Sequence, residues 1–180
     1  MLGLYIVAAV VVVGIIIYNG LVKKRVQVDG AWADIDVQLK RRHDLIPNIV
    51  ETVKGYASHE KGTLEAVVNA RSAAMSAQGP VKQAEAENVL TGTLKTLFAL
   101  SEAYPQLQAA GNFQDLQKTL AEMENGIQQA RRYYNAVVRD YNTKIAQVPS
   151  NIVARAFGFS EREFFELAEG EEEVPQVSFD

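Results

Sequence analysis

An uncharged run from Met1 to Val22, closed at once by Lys23-Lys24-Arg25, most constrains what this chain can fold into. Leu2 to Val22 would be about 31 Å long as an α-helix, matching the ~30 Å hydrocarbon core of a bilayer. A cleaved signal sequence would place its basic residues ahead of the apolar core, and would keep that core to about 7–15 residues before a small-residue cleavage site. Here the basic cluster follows the apolar run, and Tyr18-Asn19-Gly20 reads as a membrane interface. A permanent transmembrane anchor over residues 1–22 is expected. Lys40, Arg41 and Arg42 add positive charge soon after Lys23-Lys24-Arg25, while the other flank offers only the α-amino group. The positive-inside bias therefore predicts a short N-terminus outside and the remaining body in the cytoplasm.

The residues beyond Val22 suffice for one domain with a core and are too few for two comfortable ones. Cysteine is absent, which excludes disulfides, thiolate metal sites, a cysteine nucleophile and lipidation on cysteine. The net charge of −4 conceals an asymmetry, because Glu161 to Asp180 holds eight acids and a single base. The membrane-proximal end is basic, which suits anionic headgroups, and the C-terminus is an acidic tail that such a surface repels. No basic face interleaved with aromatics appears, so nucleic acid is not an expected partner.

Apolar residues beyond the anchor recur at helical spacing. Val28, Trp32, Ile35, Leu39, Ile46, Ile49, Val53 and Tyr56 form a stripe close to a heptad, with Arg42 in the missing slot. Pro47 predicts a kink or break near His43–Pro47. The pattern resumes through Leu64, Val67, Val68 and Met75 and ends in a turn at Ser76–Pro80. Pro80 suits the first position of a second helix, whose face runs Leu90, Leu94, Leu97, Phe98 and Leu100 and stops at Tyr104-Pro105. Asn112 with Asp115 predicts an N-cap for a third helix of about 36 residues, before Pro149. Its stripe reads Phe113, Leu116, Leu120, Met123, Ile127, Ala130, Tyr134, Val137, Tyr141, Ile145 and Val148. Ser160 to Glu163 reads as a capping box on a short terminal helix bearing Phe164 and Phe165. The expected fold is all-α. It consists of a single transmembrane helix, an antiparallel coiled-coil-like bundle of about four long helices over 23–159, and a short terminal helix with the acidic tail over 160–180.

Motifs that carry chemistry are missing. His59-Glu60 is followed by Thr63 where a zinc-protease helix has histidine, and His43 is the only other histidine. An exposed helical histidine is the expected reading. No phosphate-binding Gly-rich turn and no Gly-x-Ser-x-Gly elbow occurs. Asp34, Asp36, Asp44, Glu51 and Glu60 read as surface charge, since neither histidine has the Glu three residues earlier that a bundle di-metal site needs. No catalytic residue, cofactor or metal ligand is expected.

Polar residues within apolar faces are more informative. The run Asp36 to Asp44 carries Arg42 in a stripe position, which has two readings. Arg42 is either an ion-paired node or docking point beside the Pro47 break, or it snorkels its charge to solvent as the stripe drifts. Tyr134-Asn135 and Tyr141-Asn142 repeat seven residues apart. Core tyrosines with hydroxyls satisfied at the bundle edge are the favoured reading, and a polar ladder fixing register between subunits is the alternative.

These residues fall within longer recognisable runs. Tyr18-Asn19-Gly20-Leu21-Val22, Ala31-Trp32, Ile35-Asp36-Val37-Gln38-Leu39-Lys40-Arg41-Arg42 and Asp44-Leu45-Ile46-Pro47-Asn48 lead to Val53-Lys54-Gly55-Tyr56 and His59-Glu60. Ala70-Arg71, Glu102-Ala103-Tyr104-Pro105, Arg132-Tyr133-Tyr134-Asn135, Tyr141-Asn142, Pro149, Gly158-Phe159 and Phe164-Phe165-Glu166 follow. Together they strongly resemble the bacterial LemA family over essentially the whole chain. The resemblance implies a single N-terminal membrane helix followed by a long-helix bundle, and the expected location is the bacterial inner (plasma) membrane. It brings no enzymatic activity, cofactor or catalytic residue. It also implies a loose association with cell-envelope processes, a relative contributing to magnetosome membranes.

The expected function is a membrane-anchored, non-enzymatic scaffold that self-associates as a homo-oligomer and organises or shapes the lipid bilayer. The alternative is an adaptor that recruits another envelope or signalling protein through the bundle surface or the acidic tail. An enzyme built from scattered carboxylates and arginines is the least favoured reading.

Overall fold

The computed structural model describes residues 1–166, and among them the chain is all-helical. Six helices follow in order: α1 (Leu2–Tyr56), α2 (Lys61–Ser76), α3 (Pro80–Ser101), α4 (Pro105–Gln108), α5 (Gly111–Ala146) and α6 (Ser150–Ala156). They form two compact units. Among the described residues, one comprises 1–44 and 118–164, and the other comprises 45–117 with 165–166.

In the first unit α1 and α5 run antiparallel, because partners descend along α5 as they ascend along α1. Lys24 pairs with Asp140, the Trp32 ring lies tilted against that of Tyr134, and Arg42 pairs with Glu124. The buried row of α1 reads Leu21, Val28, Ile35, then Arg42, a strict seven-residue repeat. α5 buries Leu120, Ile127, Tyr134 and Tyr141 in one such row, with Val138 and Ile145 in the row beside it. The second row differs from the sequence expectation by one position. Val138 is buried where Val137 was expected, and Val148 lies exposed beyond the helix.

Of the kink or break expected near His43–Pro47, the break does not occur, since the helix passes through Pro47 and ends at Tyr56. A mid-helix proline costs about 3 kcal/mol. Ile46, Ile49 and Val53 are all fully buried on one face around it. Each such side chain contributes about 1.5–3 kcal/mol, so together they outweigh the proline. The break falls instead at Ala57–Glu60, after Gly55, where the Glu60 N–H turns back to the Ala57 carbonyl. α1 is also continuous through Asn19-Gly20 and Gly30.

In the second unit α2 and α3 pack as a hairpin around the turn at 77–79. Gly79, at φ +85°, takes a conformation that side-chain-bearing residues rarely adopt, and Pro80 opens α3 as its sequence position predicts. α3 buries Gln83, Glu87, Leu90, Leu94, Leu97 and Ser101 at alternating steps of four and three. The Gln83 amide donates to the Ala74 carbonyl and to Glu87 Oε1, both at 3.0 Å, which ties α3 to the end of α2. Phe113 is fully buried, with its ring 6.0 Å from that of Phe98.

α5 has the expected 36 residues, but Asn112 sits in its first turn instead of capping it. The capping box at Ser160 opens no helix, because residues 160–166 are irregular, and the rest of the expected terminal helix and acidic tail lies outside the described residues. α6 closes with Gly158 at φ +70°, where the Phe159 N–H donates to the Ala154 carbonyl and the Phe157 N–H to that of Val153. A Cβ at Gly158 would meet open space but would carry a left-handed backbone, at about 1–2 kcal/mol. Gly158→Ala is therefore expected to lower the unfolding midpoint of the detergent-solubilised protein by a few degrees, read by circular dichroism.

Candidate functional site

α1 begins with an apolar stretch that is almost wholly uncovered among the described residues. Leu2, Leu4, Ile6, Val10, Val13 and Ile16 are all exposed, and the helix is long and apolar enough to cross a membrane. An exposed apolar surface of this extent marks contact with lipid or protein. This is a membrane-associated protein.

Beyond that stretch, α1 and α5 present a set of polar contacts. Arg42 does not snorkel. Its side chain is 2% exposed, with one guanidinium nitrogen 2.9 Å from Glu124 Oε1, while Glu124 keeps 34% of its side chain in solvent. The pair therefore spans the boundary between core and water. Glu124 lies on α5 in the row of Val138 and Ile145, four residues after Leu120 and three before Ile127. Sequence reasoning missed it because Met123 was assigned to that face. The readable signal was an acid at core spacing on the helix facing a stripe arginine. One turn before Arg42 on α1, Gln38 closes against Gly126, where an added Cβ would come within 3.2 Å of its amide oxygen.

Tyr134 and Asn142 hold the segment that follows α6. The buried Tyr134 hydroxyl donates to the Glu163 carbonyl at 2.8 Å, and its ring lies 5.3 Å from that of Trp32. The Asn142 amide donates to the Arg162 carbonyl and accepts the Arg162 N–H, both at 2.9 Å. Irregular backbone at 162–163 thus finds side-chain partners in place of helical ones, which is why the capping box at Ser160 is not used. Arg162 also reaches Asp29 at 3.0 Å, an exposed pair of small energetic weight. Burial pushes the Tyr134 hydroxyl up to about 12 and also raises that of Tyr141. Asn135 is half-buried beside this group. Asp36 and Asp44 lie on the exposed side of α1, and partial desolvation raises the Asp36 carboxyl.

The sequence candidates thus separate. Arg42 joins Glu124, Tyr134 and Asn142 converge on residues 162–163, and Asp36 and Asp44 belong to neither group. His43 is buried, against the expectation of an exposed histidine, and His59 is exposed in the turn between α1 and α2. Among the described residues no three His, Asp or Glu side chains come together as metal ligands would. The arrangement binds elements of one chain to each other, through charge at Arg42 and backbone capture at Asn142.

The LemA family model matches residues 31–179. Magnetosome protein MamQ 2 of Paramagnetospirillum magneticum is 25% identical, over 83% of this chain and 64% of that protein. Magnetosome protein MamQ of Magnetospirillum gryphiswaldense is 24% identical, over 82% of this chain and 64% of its own. Protein LemA of Metamycoplasma hominis is 24% identical, over 84% of this chain and 69% of its own. The chain therefore spans a little under two thirds of the length of the magnetosome proteins it matches.

Proposed function

This chain belongs to the LemA family, and from that premise we propose that it is a non-enzymatic, membrane-anchored helical scaffold that self-associates and organises or shapes the bacterial membrane. The continuity of α1 carries the reading. The helix with the uncovered apolar stretch runs, with no linker, into the buried row Leu21, Val28, Ile35 and Arg42 that packs the first unit. An enzyme or receptor on a membrane gains reach from a flexible tether, whereas a scaffold gains from a fixed geometry between bilayer and body. Similarity to proteins named for the magnetosome agrees with such a role. Residues 2–22 span the inner membrane once, and Lys23, Lys24 and Arg25 keep the body on the cytoplasmic side.

The test is the mass of the full-length protein extracted with its own lipids in polymer discs, compared with the protein lacking residues 1–17. That truncation keeps Tyr18 and the buried Leu21. A uniform, lipid-containing particle of several copies, falling to small species without the apolar stretch, is the expected result. A single copy would overturn self-association.

An adaptor is the second reading, favoured by a groove of about 340 Å³ on the second unit. Ile46, Pro47, Val50 and Val68 line it with Glu51, Lys54 and Arg71. One copy in the disc, joined to a different protein that Val68→Glu releases, would favour the adaptor.

A further inference from the structure

The end of the apolar stretch does not stand alone. The Tyr18 ring lies 4.8 Å from that of Phe157 and 5.7 Å from that of Phe159, and the Arg25 guanidinium sits 5.2 Å above the Phe159 ring. The turn at Gly158 lets both phenylalanines flank one tyrosine. These contacts place the far end of α6 level with Tyr18, four residues before Val22 and so about 6 Å to the membrane side of it.

The same segment exposes large apolar side chains. Val148 is 77% exposed, Ile152 67% and Phe157 64%, and Ile152 shares a helix face with the exposed Ala156 four residues on. In an all-aqueous setting these residues would form an unexplained apolar patch. At the height of Tyr18, Phe157 meets the zone where aromatic rings concentrate in membrane proteins, and Ile152 lies on the same short helix that leads to it. Arg155 is exposed on the same short helix, and Lys23 and Arg25 lie at the neighbouring level of α1, so basic side chains accompany the patch.

We propose that residues 148–157 are a second membrane contact, in which Val148, Ile152 and Phe157 insert into the headgroup–acyl boundary of the bilayer that α1 crosses. The occupant of the patch is that lipid surface, because its height is fixed by ring contacts to the spanning helix itself. The inference rests on the span proposed above and goes beyond it. The span fixes the body through α1 alone, while this contact would add a second point of attachment at the surface.

The chain has no cysteine, so single spin labels can be attached to the full-length protein at chosen positions. Three variants, Val12→Cys, Ile152→Cys and Val37→Cys, would be labelled and reconstituted in vesicles of phosphatidylcholine with phosphatidylglycerol. Val37 is an exposed valine on α1, about 22 Å beyond Val22, and serves as the aqueous reference. Expected is high oxygen and low nickel-chelate accessibility at 12, the reverse at 37, and a value at 152 displaced from 37 clearly toward 12. A label at 152 as water-accessible as that at 37, with 12 immersed, would overturn the second contact and leave the span standing. Water accessibility at 12 would overturn both. A label in Phe157→Cys repeats the reading, in case the substitution at 152 disturbs α6.

Discussion

Replacing Glu124 with alanine is expected to destabilise the full-length protein by about 3 kcal/mol, because it strips a buried guanidinium of the carboxylate it faces. Arg42 is 2% exposed and sits in a row otherwise made of Leu21, Val28 and Ile35. For a chain of this size the loss corresponds to an unfolding midpoint lower by roughly 6–12 °C, measurable by circular dichroism in detergent. Removing both charges should behave differently. The double variant Arg42→Met, Glu124→Leu is expected to recover most of the loss, since apolar replacement of a buried pair is often neutral or favourable. A cost below about 0.5 kcal/mol for Glu124→Ala would class the contact with exposed ion pairs, and the account of Arg42 given above would fail.

Alkali is expected to loosen the first unit through Tyr134. Its hydroxyl titrates near 10.0 when unfolded and at about 12 when buried beneath the Glu163 carbonyl. Between those values the unfolded chain gives up a proton that the folded chain keeps. Stability is therefore complete below the unfolded value and is lost as pH rises through the folded one, by an amount on the order of 2 kcal/mol. Tyr141, also raised by burial, adds to the same slope. Tyr134→Phe should cost about 1 kcal/mol at neutral pH, from the hydrogen bond to Glu163, and should reduce the alkaline loss. Denaturant unfolding of both proteins from about pH 8 to about pH 12 checks this. Parallel curves for the variant and the natural protein would remove Tyr134 from the account.

Helix content, the Pro80 start, the length of α5 and the apolar first stretch of α1 were all legible, because each is written locally in spacing or in a single residue. Pro47 misled for the opposite reason. Its local cost is visible in the sequence, and the burial of Ile46, Ile49 and Val53 that offsets it is not. Arg42 was recognisable as an anomaly, yet its partner was hidden by a one-residue error in the phase of α5. Strings of Leu116, Met123, Ala130 and Val137 look more apolar than the true second row, in which Glu124 precedes Val138 and Ile145. The capping box at Ser160 was sound by its own rule. What overrode it was capture of the 162–163 backbone by Tyr134 and Asn142, residues some 20 to 29 positions earlier in the chain.

The absence of any joint in α1 before Asp44 has a mechanical side. A hinged anchor relieves a mismatch between its apolar length and the bilayer's thickness by tilting alone, at small cost. On the span proposed above, with residues 2–22 immersed and the same continuous helix packed against α5 from Leu21 onward, tilt of the immersed part also tilts the packed part. Membrane thickness is then converted into an angle of the first unit against the surface. A thinner or thicker lipid host becomes, for this protein, a change of posture.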